Sequence, residues 1–75
     1  MILGIEHVAV CARDTKVLTD WYVKMFGMSI VYDNGKGTYF EKAPDGAMIE
    51  IIPADTEVAI SNPKDWGIRH FALSV

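Results

Sequence analysis

The sequence predicts an α+β fold: one amphipathic helix laid on one face of a small sheet. Three observations predict it. A single stretch near the N-terminus has helical periodicity. Four short β-rich segments surround it, punctuated by Gly, Pro, Asn and Asp. The opening segment also returns near the end of the chain, giving the order β-α-β-β-β and then β again. A helix with one apolar stripe beside several strands buries that stripe on the sheet.

The opening segment is Gly4-Ile5-Glu6-His7-Val8-Ala9-Val10, and its echo is Gly67-Ile68-Arg69-His70-Phe71-Ala72-Leu73. Both read Gly, Ile, charged, His, apolar, Ala, apolar. The two histidines, the only ones in the chain, are 63 residues apart (70 minus 7). That offset is too long for a solenoid repeat and suits a duplicated small domain. Each copy is too short and too β-branched for a helix and reads as a strand. Alternation then puts His7 on one face with Ile5, Ala9 and Cys11, and Val8 and Val10 on the other. His70 falls with Ile68, Ala72 and Ser74. The histidine face carries small residues and has room for a ligand, whereas the opposite face is bulky.

The helix follows. Val17, Leu18, Trp21, Tyr22, Met25 and Phe26 fall on one stripe of a 3.6-residue period, which predicts Trp21, Tyr22 and Phe26 in the core. Lys16, Thr19, Asp20 and Lys24 take the solvent side. Asp14 or Thr15 suits the N-cap, and Gly27 the left-handed C-terminal position. Met28 to Tyr32 reads as the second strand, Thr38 to Lys42 as the third and Ala47 to Ile52 as the fourth, stopped by Pro53. The turns between them are Asp33-Asn34-Gly35-Lys36-Gly37 and Ala43-Pro44-Asp45-Gly46. In the fourth strand Met48, Glu50 and Ile52 share one face. Residues 1–53 thus form a βαβββ module, 54–66 a connection, and 67–75 the first strand of a second module.

Bulk properties narrow the function classes. A unit of 75 residues hides only about 60% of its unfolded surface, so a lone core is small. The charge is −3, and Lys and Arg are scattered, which argues against nucleic acid. No apolar run approaches the ~20 residues of a membrane span, and Glu6 and His7 interrupt the opening apolar residues, which argues against a signal peptide. The single cysteine, Cys11, cannot form an internal disulfide, and a reducing cytoplasm is the default expectation.

His7 and Glu50 are the residues whose types conflict with their surroundings. Each interrupts an apolar strand, and a carboxylate among Met48, Ile49, Ile51 and Ile52 is costly if buried without a partner. Glu50 also fits a solvated sheet face, and a lone strand histidine is more often structural than a ligand. The repeated histidine makes a His7, Glu50, His70 metal site the competing reading, since two imidazoles and a carboxylate suit Zn, Fe(II), Ni, Co or Mn. Cys11 reads as a small packing residue, and Arg13 and Arg69 as surface charges with some reach toward an anionic substrate. Met48, Ile52, Phe40 and Tyr39 are candidates to line a pocket. The inward-facing member of the Tyr39, Phe40 pair stays open.

The sequence resembles the vicinal oxygen chelate superfamily, which includes glyoxalase I, bleomycin-resistance proteins, extradiol dioxygenases and methylmalonyl-CoA epimerase. The resemblance rests on Ile5-Glu6-His7-Val8-Ala9-Val10, the helix Asp14 to Phe26 with Trp21-Tyr22 and Phe26-Gly27-Met28 at its end, Pro44-Asp45-Gly46 before Met48-Ile49-Glu50-Ile51-Ile52, and Gly67-Ile68-Arg69-His70-Phe71-Ala72. It implies a curved mixed sheet in a glyoxalase-like module, with the helix on the convex face and a divalent metal on the concave one. It also implies that two modules pair, here through a homodimer. The ligands would be His7, Glu50 and His70. A fourth, a glutamate from the last strand of the second module, would lie beyond Val75.

The function implied is a metal-dependent lyase or isomerase of glyoxalase type, in which a small oxygenated substrate chelates the metal through two oxygens and passes through an enediolate. Glu50, or the glutamate beyond Val75, would be the catalytic base. Two alternatives stand beside it: a metal-free small-molecule binding or drug-resistance protein of the same fold, and an Fe(II) extradiol dioxygenase, which the short chain disfavours. Neither a nucleic acid nor a membrane is an expected partner.

Overall fold

A computed structural model of the chain describes residues 1–56, 68 and 70–74. Five elements run in the order β1 (His7–Ala12), α1 (Thr15–Phe26), β2 (Ser29–Asp33), β3 (Tyr39–Lys42) and β4 (Met48–Pro53). The four strands form one sheet in the order β1-β4-β3-β2. β1 runs parallel to β4, whereas β3 is antiparallel to both β4 and β2. The sheet is mixed and α1 packs across one face of it, so the fold is the expected α+β βαβββ module. Among the described residues no helix is long and apolar enough to cross a membrane.

Local chemistry sets the element ends. Asp14 is extended (φ −124°, ψ 95°), and its carboxylate accepts the Val17 N–H at 3.1 Å, which satisfies one of the orphan amides at the start of α1. Gly27 is left-handed (φ 66°) and donates its N–H to the Val23 carbonyl at 3.0 Å, closing the last turn. In the β2–β3 loop the Asn34 side chain accepts from the Lys36 and Thr38 amides, and Asp33 accepts from Gly35. In the β3–β4 turn Asp45 accepts from Ala47. These side-chain acceptors hold the loops in register.

The core is small. Met28, Ile49 and Ile51 are buried, and Val10, Ala12, Leu18, Tyr22, Tyr39 and Ala43 pack around them. Ile51, fully hidden between the sheet and α1, contributes about 1.5–3 kcal/mol of transfer free energy.

The helix is rotated relative to the sequence expectation. Its buried residues are Thr15 and Thr19, and with Leu18 and Tyr22 they form the line that meets the sheet. Trp21 and Phe26, expected in the core, are 46% and 41% exposed. The six-residue apolar stripe is wider than the ridge that a short helix can seat on four strands. The two threonines allow close approach to the sheet. Trp21 instead packs edge-on against Tyr22 and Phe26, with ring centroids 5.2 Å and 5.1 Å apart.

The second-module expectation falls largely outside the described residues, since Gly67, Arg69, Val75 and residues 57–66 of the connection are among those not described. Ile68 and residues 70–74 are described without strand pairing, and all are exposed.

Candidate functional site

Alternation along the strands gives the sheet two unlike faces. Val8, Val10, Tyr39, Ile49 and Ile51 pack beneath α1. The other face carries His7, Ala9 and Cys11 from β1, Met48, Glu50 and Ile52 from β4, and Phe40 and Lys42 from β3. Glu50 sits in the middle of it, with Ala9 as its neighbour in β1 and Phe40 as its neighbour in β3. The alanine methyl leaves a gap, and the imidazole of His7 leans into it. His7 Nε2 lies 3.5 Å from Glu50 Oε1, and both side chains are about one-third exposed or less (35% and 22%).

Two further contacts hold the imidazole. Its Nδ1 lies 3.1 Å from Glu6 Oε1, and its ring meets Phe40 edge-on at 5.1 Å and 77°. Glu6 stands just before β1 with its carbonyl accepting the Met48 N–H at 3.1 Å, and its side chain reaches round to its neighbour His7. With Nδ1–H donating to Glu6, the Nε2 side is aimed at Glu50. Two carboxylates thus flank one imidazole, one at each ring nitrogen.

Phe40, not Tyr39, faces this site, which decides the pair left open by the sequence. Tyr32 joins it. The pairing of β2 with β3 shifts between Ile30 and Tyr32, so Tyr32 stands opposite Phe40 while Ile30 stands opposite Glu41. The extra residue of this β-bulge re-aims Tyr32, whose ring packs 5.9 Å from Phe40. Without the bulge, Val31 would take that place. Tyr32 and Glu6 were not legible as site residues, since neither a bulge nor a backward-folding residue before a strand leaves a mark in the alternation.

The remaining candidates lie elsewhere. His70 is exposed, and among the described residues no group of three His, Cys, Asp or Glu side chains is placed to hold a metal ion. Cys11 is exposed on the His7 face beside Ile52. A cleft of about 880 Å³ lies on the helix side, lined by Val8, Met25, Met28, Ile49 and Phe71 among others. Neither His7 nor Glu50 lines it, although Glu6 and Met48 do, so the cleft borders the polar cluster without containing its central pair.

Comparison with known proteins now decides the family. The model of the Glyoxalase/Bleomycin resistance protein/Dioxygenase superfamily matches residues 4–75. The chain belongs to this superfamily. Two solved structures of FosX, a genomically encoded fosfomycin resistance protein from Listeria monocytogenes, share the superfamily fold with it. One is a point mutant complexed with Mn(II) and 1S,2S-dihydroxypropylphosphonic acid, at TM-score 0.66, 24% identity and 83% coverage of this chain. The other is a monoclinic form at pH 6.5, at TM-score 0.65 with the same identity and coverage. The chain spans about half the length of both (49% and 50%). Among curated proteins no sequence matches it significantly.

The donor set can be tested against the divalent ion that the superfamily implies. Two donors held at ~2.1 Å by one tetrahedral ion stand about 3.4 Å apart. The His7 Nε2 to Glu50 Oε1 separation of 3.5 Å fits that span and is long for a direct N–H···O bond. An imidazole, a carboxylate and a second carboxylate orienting the imidazole also match the usual inner and outer ligand chemistry. The pair supplies two donors, and further ones must come from outside this cluster.

Proposed function

We propose that the protein is a metal-dependent enzyme acting on a small oxygenated molecule, of the lyase or isomerase type. The observation that carries this reading is the His7 Nε2 to Glu50 Oε1 spacing of 3.5 Å on the open sheet face. The solved relative that holds Mn(II) and a dihydroxypropylphosphonic acid adds support for a divalent ion and a small substrate with neighbouring oxygens.

In this reading His7 and Glu50 hold the ion, with His70 as a further ligand once its strand is paired. Glu6 fixes the imidazole so that Nε2 faces inward. A divalent ion held there would supply Lewis-acid polarisation to a substrate bearing two adjacent oxygens. Glu50 is the candidate base for a proton beside the substrate carbonyl, through the carboxylate oxygen turned away from His7. Phe40 and Tyr32 wall one side, excluding water and orienting the substrate. Zn, Ni, Co, Mn and Fe all suit this donor set. The same reading has the protein act in the cytoplasm as a homodimer through module pairing, which would cover the open face and the exposed edges of β1 and β2.

A second reading is favoured by the Tyr32 and Phe40 rings: a metal-free binder that stacks a flat drug-like molecule on this face. Elemental analysis of the purified protein separates the two. The enzyme reading expects stoichiometric divalent metal and an activity abolished by a chelator and by His7→Ala. Metal-free protein whose function survives His7→Ala leaves the binder reading.

A further inference from the structure

The other face of the sheet carries a second unusual carboxylate. Glu41 sits in the middle of β3 and projects beneath α1, opposite in direction to the His7–Glu50 cluster. Its side chain is fully buried, at 0% exposure, and neither carboxylate oxygen has a hydrogen-bond partner among the described residues. Its cross-strand neighbours are apolar, Ile30 in β2 and Ile49 in β4. From α1 come Thr19, itself 1% exposed with an unpartnered hydroxyl, and two titratable groups, Asp20 and Tyr22. The cation on that helix face, Lys16, is bonded to Asp20 at 2.9 Å. With Lys16 engaged by Asp20 and neither Glu41 oxygen bonded among the described residues, the buried carboxylate takes up a proton instead.

We propose that Glu41 is a proton-operated latch between α1 and the sheet, seating the helix when its carboxyl is protonated and loosening it when the proton leaves. The latch is independent of the proposed metal chemistry, because it lies on the opposite face. Burial first, and the negative charge of Asp20 second, push the Glu41 carboxyl up from 4.5 to about 7. Burial and then Glu41 itself push the Tyr22 hydroxyl up. A carboxyl whose folded value is raised stabilises the fold fully below its unfolded value. That stability is lost as pH rises through the folded value. The affected window therefore runs from about pH 4.5 to just above 7.

The test compares denaturant unfolding of the wild-type protein and Glu41→Gln from pH 5 to pH 9, with a ¹³C NMR titration of the Glu41 carboxyl in the wild type. The expected result is an unfolding constant that rises in the wild type by ~80-fold between pH 5 and pH 9 relative to Glu41→Gln. The carboxyl midpoint is expected near 7. Parallel pH profiles in the two proteins, or a carboxyl midpoint near the ordinary ~4.3, overturn the proposal. If Glu41→Gln does not fold, the wild-type titration alone decides.

Discussion

His7 and Glu50 stand on neighbouring parallel strands one pleat out of register, and the gap left by Ala9 lets His7 Nε2 come within 3.5 Å of Glu50 Oε1. The relationship depends on pairing that is distant in sequence. β1 meets β4 only after α1, β2 and β3 have been laid down between them. Anything that weakens the β1–β4 seam or the core beneath it loosens the pair.

Ile51 is the residue that holds this seam from below. It is 0% exposed, lies in β4 beside Glu50 and pairs with Val10 and Tyr39. Ile51→Ala is expected to destabilise the fold by about 2–5 kcal/mol, through lost burial and a residual cavity. Urea unfolding monitored by circular dichroism measures it. In a core of this size such a loss leaves a large unfolded fraction at ambient temperature.

Asp14 caps the helix that covers that core. Asp14→Ala removes the acceptor of the Val17 amide and is expected to cost about 1 kcal/mol. Asp14→Asn or Asp14→Ser should keep most of it. The comparison of the three melting curves reports the cap, because a charge effect alone would not be rescued by serine.

Two glycines with positive φ should respond differently to a methyl group. Gly27 (φ 66°) has nothing within 4 Å of where a Cβ would stand, so Gly27→Ala costs only the left-handed backbone penalty of about 1–2 kcal/mol. At Gly37 (φ 94°) the Cβ would meet Pro53 Cγ and Thr15 Oγ1, each at 3.2 Å, in the place where the β2–β3 loop rests against the N-terminus of α1. Gly37→Ala is therefore expected to be the more damaging of the two, in a side-by-side denaturation experiment.

Glu6 acts on the site through His7. The Glu6 side chain is well exposed and bonds the imidazole Nδ1, while its carbonyl, which accepts the Met48 N–H, is untouched by the change, so Glu6→Gln should leave stability unchanged. Divalent-metal affinity is expected to fall by about 10-fold, the usual effect of removing an outer carboxylate from a ligating histidine. An unchanged affinity would show that Glu6 plays no part in orienting His7.

Much of this was legible in the sequence, for identifiable reasons. Capping is local chemistry, so the N-cap could be narrowed to Asp14 or Thr15, of which Asp14 is the cap, and Gly27 could be read directly. Period-2 alternation fixes faces, so the shared side of His7, Ala9 and Cys11, and that of Met48, Glu50 and Ile52, followed from the strands. The rotation of α1 did not follow, because Thr19 is as compatible with a solvent face as with a close helix–sheet approach. β3 was ambiguous because each of its faces carries one aromatic and one charged residue. Only the register with β4 shows Phe40 over Glu50 and Glu41 under the helix. Tyr32 depended on a bulge, which alternation does not encode.

The most direct test is calorimetric titration of Mn(II) or Zn(II) into metal-free protein, wild type beside His7→Ala and Glu50→Gln. Both substitutions lie on the open face, where changes cost little stability, so the variants should fold. The expected result is one ion per site in the wild type, with affinity reduced by more than the ~100-fold ceiling of outer-shell changes in each variant. Wild-type protein that binds no ion, or variants that bind as tightly as the wild type, would contradict the assignment of His7 and Glu50 to a shared metal.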